Sequence, residues 1–70
     1  MRASEAWVDD AFLWVRLEDG RQVGSPLAQF GRLAQASPEQ LRNFRLIGRG
    51  VSIHWPDLDE DISVEGLLRS

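Results

Sequence analysis

The fifteen residues His54-Trp55-Pro56-Asp57-Leu58-Asp59-Glu60-Asp61-Ile62-Ser63-Val64-Glu65-Gly66-Leu67-Leu68 set a strand end, a proline stop, four carboxylates within the five positions 57–61 and a capped apolar helix back to back. Just upstream, Val51, Ile53 and Trp55 fall at every second position. Period-two spacing puts them on one face of a strand, and Pro56 ends that strand because proline has no ladder donor. After the acidic run, Ser63 is placed to cap a short final helix that carries Val64, Leu67 and Leu68. Carboxylates just ahead of a helix gain from its dipole, so Asp59 to Asp61 read as a solvated, helix-capping turn.

Working outward, Phe44 and Leu46 alternate with Arg45 and Ile47, and Gly48-Arg49-Gly50 turns this strand into the one ending at Trp55. Ser37-Pro38-Glu39-Gln40 has Ser and Gln in the capping-box positions, which predicts a short helix ending near Asn43. Ser25-Pro26 is an earlier start signal, with serine as cap and proline at the first helical position. Leu27, Phe30 and Leu33 then share a helical face that Gly31 divides into short turns. Nearer the N-terminus, Leu13, Val15 and Leu17 alternate with Phe12, Trp14 and Arg16, the pattern of a strand. Trp7-Val8 precedes it, Asp19-Gly20 supplies a hairpin turn after it, and Arg21 to Gly24 returns as its partner. The predicted order is β-β-β-α-β-β-α. This is an α+β fold, a small antiparallel sheet with short helices packed on one face, in a single compact domain spanning 1–70.

Composition narrows the function. A 70-residue chain buries only about 60% of the surface its unfolded form exposes, so it gains from a partner or a second copy. It has no cysteine, which removes disulfides and thiolate zinc sites and fits a reducing cytoplasm. There is no apolar run of membrane-span length and no signal-peptide pattern after Met1-Arg2. All eight basic residues are arginine, the bias of a GC-rich bacterial or phage genome. The net charge of −3 divides into −3 over residues 1–20, +4 over 21–50 and −4 over 51–70.

Each candidate chemistry has an ordinary alternative. Asp57-x-Asp59-x-Asp61 opens like a calcium loop, but Ile62 and Leu68 stand where that loop needs glycine and glutamate. No metal and no other cofactor is expected. His54 is the only histidine and shares a strand face with Ser52, yet nucleophilic catalysis needs an oriented base and an oxyanion site as well. A structural histidine at a sheet edge accounts for it, and no catalytic residues are assigned. Arg32, Arg42, Arg45 and Arg49 are candidate phosphate contacts, although a pI of about 4.9 argues against direct nucleic-acid binding. Trp7, Trp14 and Trp55 read mainly as core. Trp14 and Phe12 lie opposite Leu13, Val15 and Leu17, so one of two apolar faces is available to a partner or a second copy.

Several stretches taken together resemble the domain-of-unknown-function 2442 family of small bacterial proteins. They are Leu17 to Arg21, Pro26-Leu27, Phe30 to Leu33, Ala36 to Leu41 and Gly50 to Leu68, and the most specific is Ile53-His54-Trp55-Pro56 running into Leu58 to Ile62. Gly31 departs from the pattern, since proline is expected there before Arg-Leu. The resemblance implies an α+β domain without established enzymatic activity. It also implies partners in paired small operons, antitoxin-like in arrangement, with some members fused to a helix-turn-helix that these residues do not contain. No catalytic residues come with it.

The expectation is therefore a non-enzymatic inhibitor that acts as a nucleic-acid mimic in the manner of an anti-CRISPR protein. Its acidic surface would engage the basic groove of a bacterial nucleic-acid-handling protein. The partner-binding residues would be Asp9, Asp10, Trp14, Glu18, Asp19, Asp57, Asp59, Glu60 and Asp61. The alternatives are an antitoxin-like neutraliser working through the aromatic face and a regulatory nucleic-acid-binding domain using Arg42, Arg45 and Arg49.

Overall fold

The structure, a computed structural model, describes residues 1–69. Strands β1 (Ala3–Val8), β2 (Phe12–Leu17) and β3 (Gln22–Pro26) form an antiparallel meander in that order. A single 3₁₀ turn over Leu27–Gln29 leads into α1 (Gly31–Ala34) and α2 (Pro38–Arg42). A second meander follows, β4 (Arg45–Ile47), β5 (Ser52–Trp55) and β6 (Glu60–Ser63), and the chain closes with α3 (Val64–Arg69). The fold class is α+β, as the alternation predicts.

Two features differ from the expectation. The strands form two three-stranded sheets where a single one was expected, and the acidic run contains a sixth strand. Asp59 adopts a left-handed backbone (φ 49°), which an aspartate tolerates better than most residues. That turn reverses the chain so that Glu60 pairs with Trp55, Asp61 with His54 and Ile62 with Ile53. Glu60 and Asp61 therefore lie on an edge strand, and the helix-capping reading of Asp59 to Asp61 does not hold. Ser63 alone caps α3, accepting a bond from the Gly66 amide at 2.9 Å.

Local signals account for most of the other boundaries. Asp19 and Gly20 turn β2 into β3, with Gly20 at φ 93°. The Ser37 hydroxyl accepts from the Gln40 amide while the Gln40 side chain accepts from the Ser37 amide, a complete capping box for α2. Ser25, expected to cap a helix, instead stays in β3 and is buried, because pairing with Leu13 carries the strand through to Pro26. Val51 lies in the turn before β5 and is exposed, so only Ile53 and Trp55 hold the inner face there.

One core joins both sheets and the helices. Leu13, Val15 and Leu17 from β2 meet Ile53 and Trp55 from β5, with Leu33 from α1 and Val64 and Leu67 from α3. Trp55 is completely buried and its indole N–H donates to the Leu41 carbonyl at 3.0 Å, tying α2 to the second sheet. Phe44 packs against the same ring at 5.8 Å between centroids. Of the three tryptophans only Trp55 is core.

Candidate functional site

The turn geometry sorts the acidic residues before any partner is considered. In a meander, successive turns lie at opposite ends of the sheet, and the six-residue β2 spans about 20 Å between them. Asp9 and Asp10 therefore lie at one end of the first sheet and Glu18 and Asp19 at the other. The β5–β6 turn, with Asp57 and Asp59, comes to the same end as Asp9 and Asp10. A cleft of about 510 Å³ is lined by Asp9, Asp10, Ala36 and Leu41, and an adjoining groove by Ala36, Gln40, Asp57 and Leu58. The α1–α2 connection thus runs between the two acidic turns.

The carboxylates differ in how fully they are engaged. Asp9 accepts from the Ala11 amide (2.9 Å), the Phe12 amide (2.7 Å) and the Trp14 indole N–H (2.8 Å). These donors hold its carboxyl below the ordinary range, the indole bond contributing most and the two amides next. Asp19 accepts from the Arg21 amide (3.0 Å) and pairs with the Arg21 guanidinium (2.7 Å), and its carboxyl is lowered first by the amide bond. Asp57 accepts from Asn43 at 2.9 Å, a neutral partner. Glu60 bonds the neighbouring Asp61 amide at 3.2 Å. Among the described residues, Asp10, Glu18, Asp57, Asp59 and Glu60 belong to no ion pair, whereas Glu5, Asp19 and Glu65 each hold an arginine and Asp61 holds His54. The helix-bearing end thus keeps unneutralised acids on both sides of α1 and α2.

Arg32 shapes this end through backbone contacts. Its guanidinium donates to the carbonyls of Leu58 (3.0 Å) and Asp59 (2.9 Å), pinning the acidic turn to α1. Arg32, one of the candidate phosphate contacts, is thus engaged by these carbonyls, and an arginine clasping carbonyls leaves no pattern in the chain. Arg42 lies on α2 at the cleft, Arg45 opposite His54 across β4 and β5, and Arg49 in the β4–β5 turn. Arg32 and Arg42 thus lie at the helix-bearing end, and Arg45 and Arg49 on the second sheet and its turn.

Strand β5 is central in its sheet, so His54 is not at an edge. Its Nδ1 lies 2.5 Å from Asp61 Oδ1, directly across the strand pair. Register supplies this pairing, which spacing along the chain could not reveal. The pair is an oriented imidazole on an outer face, and neither cleft includes it. Among the described residues, no three His, Cys, Asp or Glu side chains gather to hold a metal ion.

Trp14 lies on the outward face of the first sheet. It stacks with Trp7 (6.4 Å between centroids, 17° between planes) and touches Phe12 at 5.5 Å. Arg16 lies over Trp7 at 5.5 Å and pairs with Glu5. Gly24, its neighbour on β3, leaves the space that the Trp14 ring occupies, since a Cβ there would overlap three of the ring carbons. Phe12 is 37% exposed, and Trp7 and Trp14 are half-buried, so this face is an aromatic platform and not core.

Fold and surface together define a small α+β module with an acidic helix-bearing end and an aromatic sheet face. Residues 3–70 match the model of the family described as protein of unknown function (DUF2442), and the chain belongs to that family. A solved structure of a protein of unknown function from Rhodospirillum rubrum ATCC 11170 is similar, with a TM-score of 0.87 and 36% identity over 97% of this chain and 84% of that one. No curated protein matches the chain. No helix among the described residues is long and apolar enough to cross a membrane.

Proposed function

We propose that this chain is a non-enzymatic, cytoplasmic protein-binding inhibitor. It lays its helix-bearing acidic end on the basic surface of a bacterial nucleic-acid-handling partner. The observation that carries this reading is the placement of Asp10, Asp57 and Asp59 around α1 and α2 without an ion pair among the described residues. Carboxylates that are not neutralised internally are the ones able to speed association with a cationic surface. Glu18 and Asp19, at the far end, fall outside this contact. The test is a pull-down from bacterial host lysate, eluted in a salt gradient, with the wild type beside the Asp10→Asn, Asp57→Asn, Asp59→Asn triple variant. Asparagine suits the left-handed backbone at position 59, so the fold is expected to survive. The wild type should retain a basic nucleic-acid-binding protein that leaves as salt rises, and the variant should release it earlier. Equal retention of both would remove the electrostatic reading.

The outward aromatic platform favours a second reading, an antitoxin-like neutraliser that binds through Trp14 and its neighbours. In that case Trp14→Ala abolishes capture while the triple variant behaves as wild type.

A further inference from the structure

We infer that the cleft between the β1–β2 turn and α2 receives a large apolar side chain from an extended segment of the partner protein, with a basic residue on one side of that side chain and an acidic residue on the other. This rests on the protein-binding reading above and names the partner's chemistry at the same end of the molecule.

The cleft's volume of about 510 Å³ falls within the roughly 300–1,000 Å³ typical of ligand sites. Leu27 and Leu33 are buried at its base, and Val8 and Leu41 are half-buried on its walls. Ala34, on α1, is exposed and contributes only a methyl group, so the space is open where a larger residue would fill it. Among the described residues no buried side-chain nitrogen or oxygen lacks a partner, so no buried side chain at the base calls for a polar occupant.

The edges carry the polarity. The Asp9 carboxylate is committed to its own turn. Asp10, on the β1–β2 wall, and Arg42, on the α2 wall, belong to no ion pair among the described residues. Opposite charges on the two walls select an occupant with a cation towards Asp10 and an anion towards Arg42. A polyanion would be repelled by Asp10, and a purely cationic segment by Arg42.

The probe is a short synthetic peptide, blocked at both ends, with Arg-Ser-Trp-Ser-Glu at its centre, the spacers placing all three recognition side chains on one face of an extended chain. It is titrated to millimolar concentration into the isotopically labelled full chain and followed by amide NMR shifts. Shifts centred on Ala28, Ala34 and Leu41 are expected. Replacing the peptide's tryptophan with alanine should weaken binding at least about tenfold, the loss of a buried anchor. Replacing its arginine with glutamate should weaken it roughly two- to fivefold, as for an exposed pair. Ala34→Leu, checked for an unchanged fold and melting temperature, should lose the interaction. Ala28→Leu serves in its place should Ala34→Leu not fold. Absence of shifts at the cleft, or equal binding by the filled variants, overturns the inference. Salt-sensitive capture of a partner with no peptide response would remove the cleft and leave the acidic end standing. Peptide binding at the cleft with a triple variant that captures like wild type would remove the acidic end.

Discussion

Asp9 organises the β1–β2 turn through three donors, and those donors hold its carboxyl below the ordinary carboxylate range. The sign of the linkage follows from this. A carboxyl depressed in the folded chain contributes stability that is complete above its unfolded pKa and is lost as pH falls through the folded one. Below about pH 4 the wild type should therefore lose part of its stability, and Asp9→Asn should lose less over that interval. Denaturant melts at pH 5 and pH 3 measure the difference, and identical losses would show that the turn draws nothing from the charge. At this scale the sequence was legible where a residue acts on its neighbours. Ser37 and Gln40 form the predicted capping box, and Ser63 caps α3. It was illegible where a partner is brought by strand pairing: Asp61 for His54, or Gly24 beneath Trp14.

Among the elements, α1 begins at Gly31, where proline is the expected residue. Gly31 is preceded by Phe30 in an extended conformation (φ −114°, ψ 98°), and a Cβ at position 31 meets nothing within 4 Å. The first helical position suits proline, whose missing amide hydrogen has no intrahelical acceptor there, and an extended preceding residue is what proline requires. Gly31→Pro should raise stability by about 0.4–1 kcal/mol by restricting the unfolded chain. A lowered midpoint in urea would show that α1 needs the glycine. Strand β6 is the element that could not be read in advance. Three of its four residues are polar and only Ile62 is buried, so neither alternation nor β-propensity stands out from the acidic run. Its direction depends on the left-handed Asp59, and the turn before it is held by Arg32 from a distant helix. The boundaries of β2, α2 and β5, set by local pattern, agree closely with the structure.

For the molecule as a whole, the acidic-basic-acidic order along the chain does not survive folding as three zones. The first acidic stretch is split between opposite ends of a sheet, and one half joins the C-terminal acids around the helices. Topology decided this, and a running sum of charge along the chain carries no topology. The backbones of the two meanders meet where the Ala3 amide donates to the Gly50 carbonyl at 2.8 Å. Gly50 has φ 93°, and a Cβ there would collide with the Ala3 backbone. Each meander pairs strands adjacent in sequence, while this junction closes most of the chain into a loop. Loop-closure entropy delays such contacts, so each meander should form first and the junction late in folding. Gly50→Ala should then accelerate unfolding and leave the refolding rate nearly unchanged in stopped-flow chevrons. A comparable slowing of refolding would place the junction in the nucleus instead. With the junction formed late, the lifetime of the native state is governed at Gly50, far from the acidic end, and a substitution there would shorten that lifetime without altering what the surface recognises.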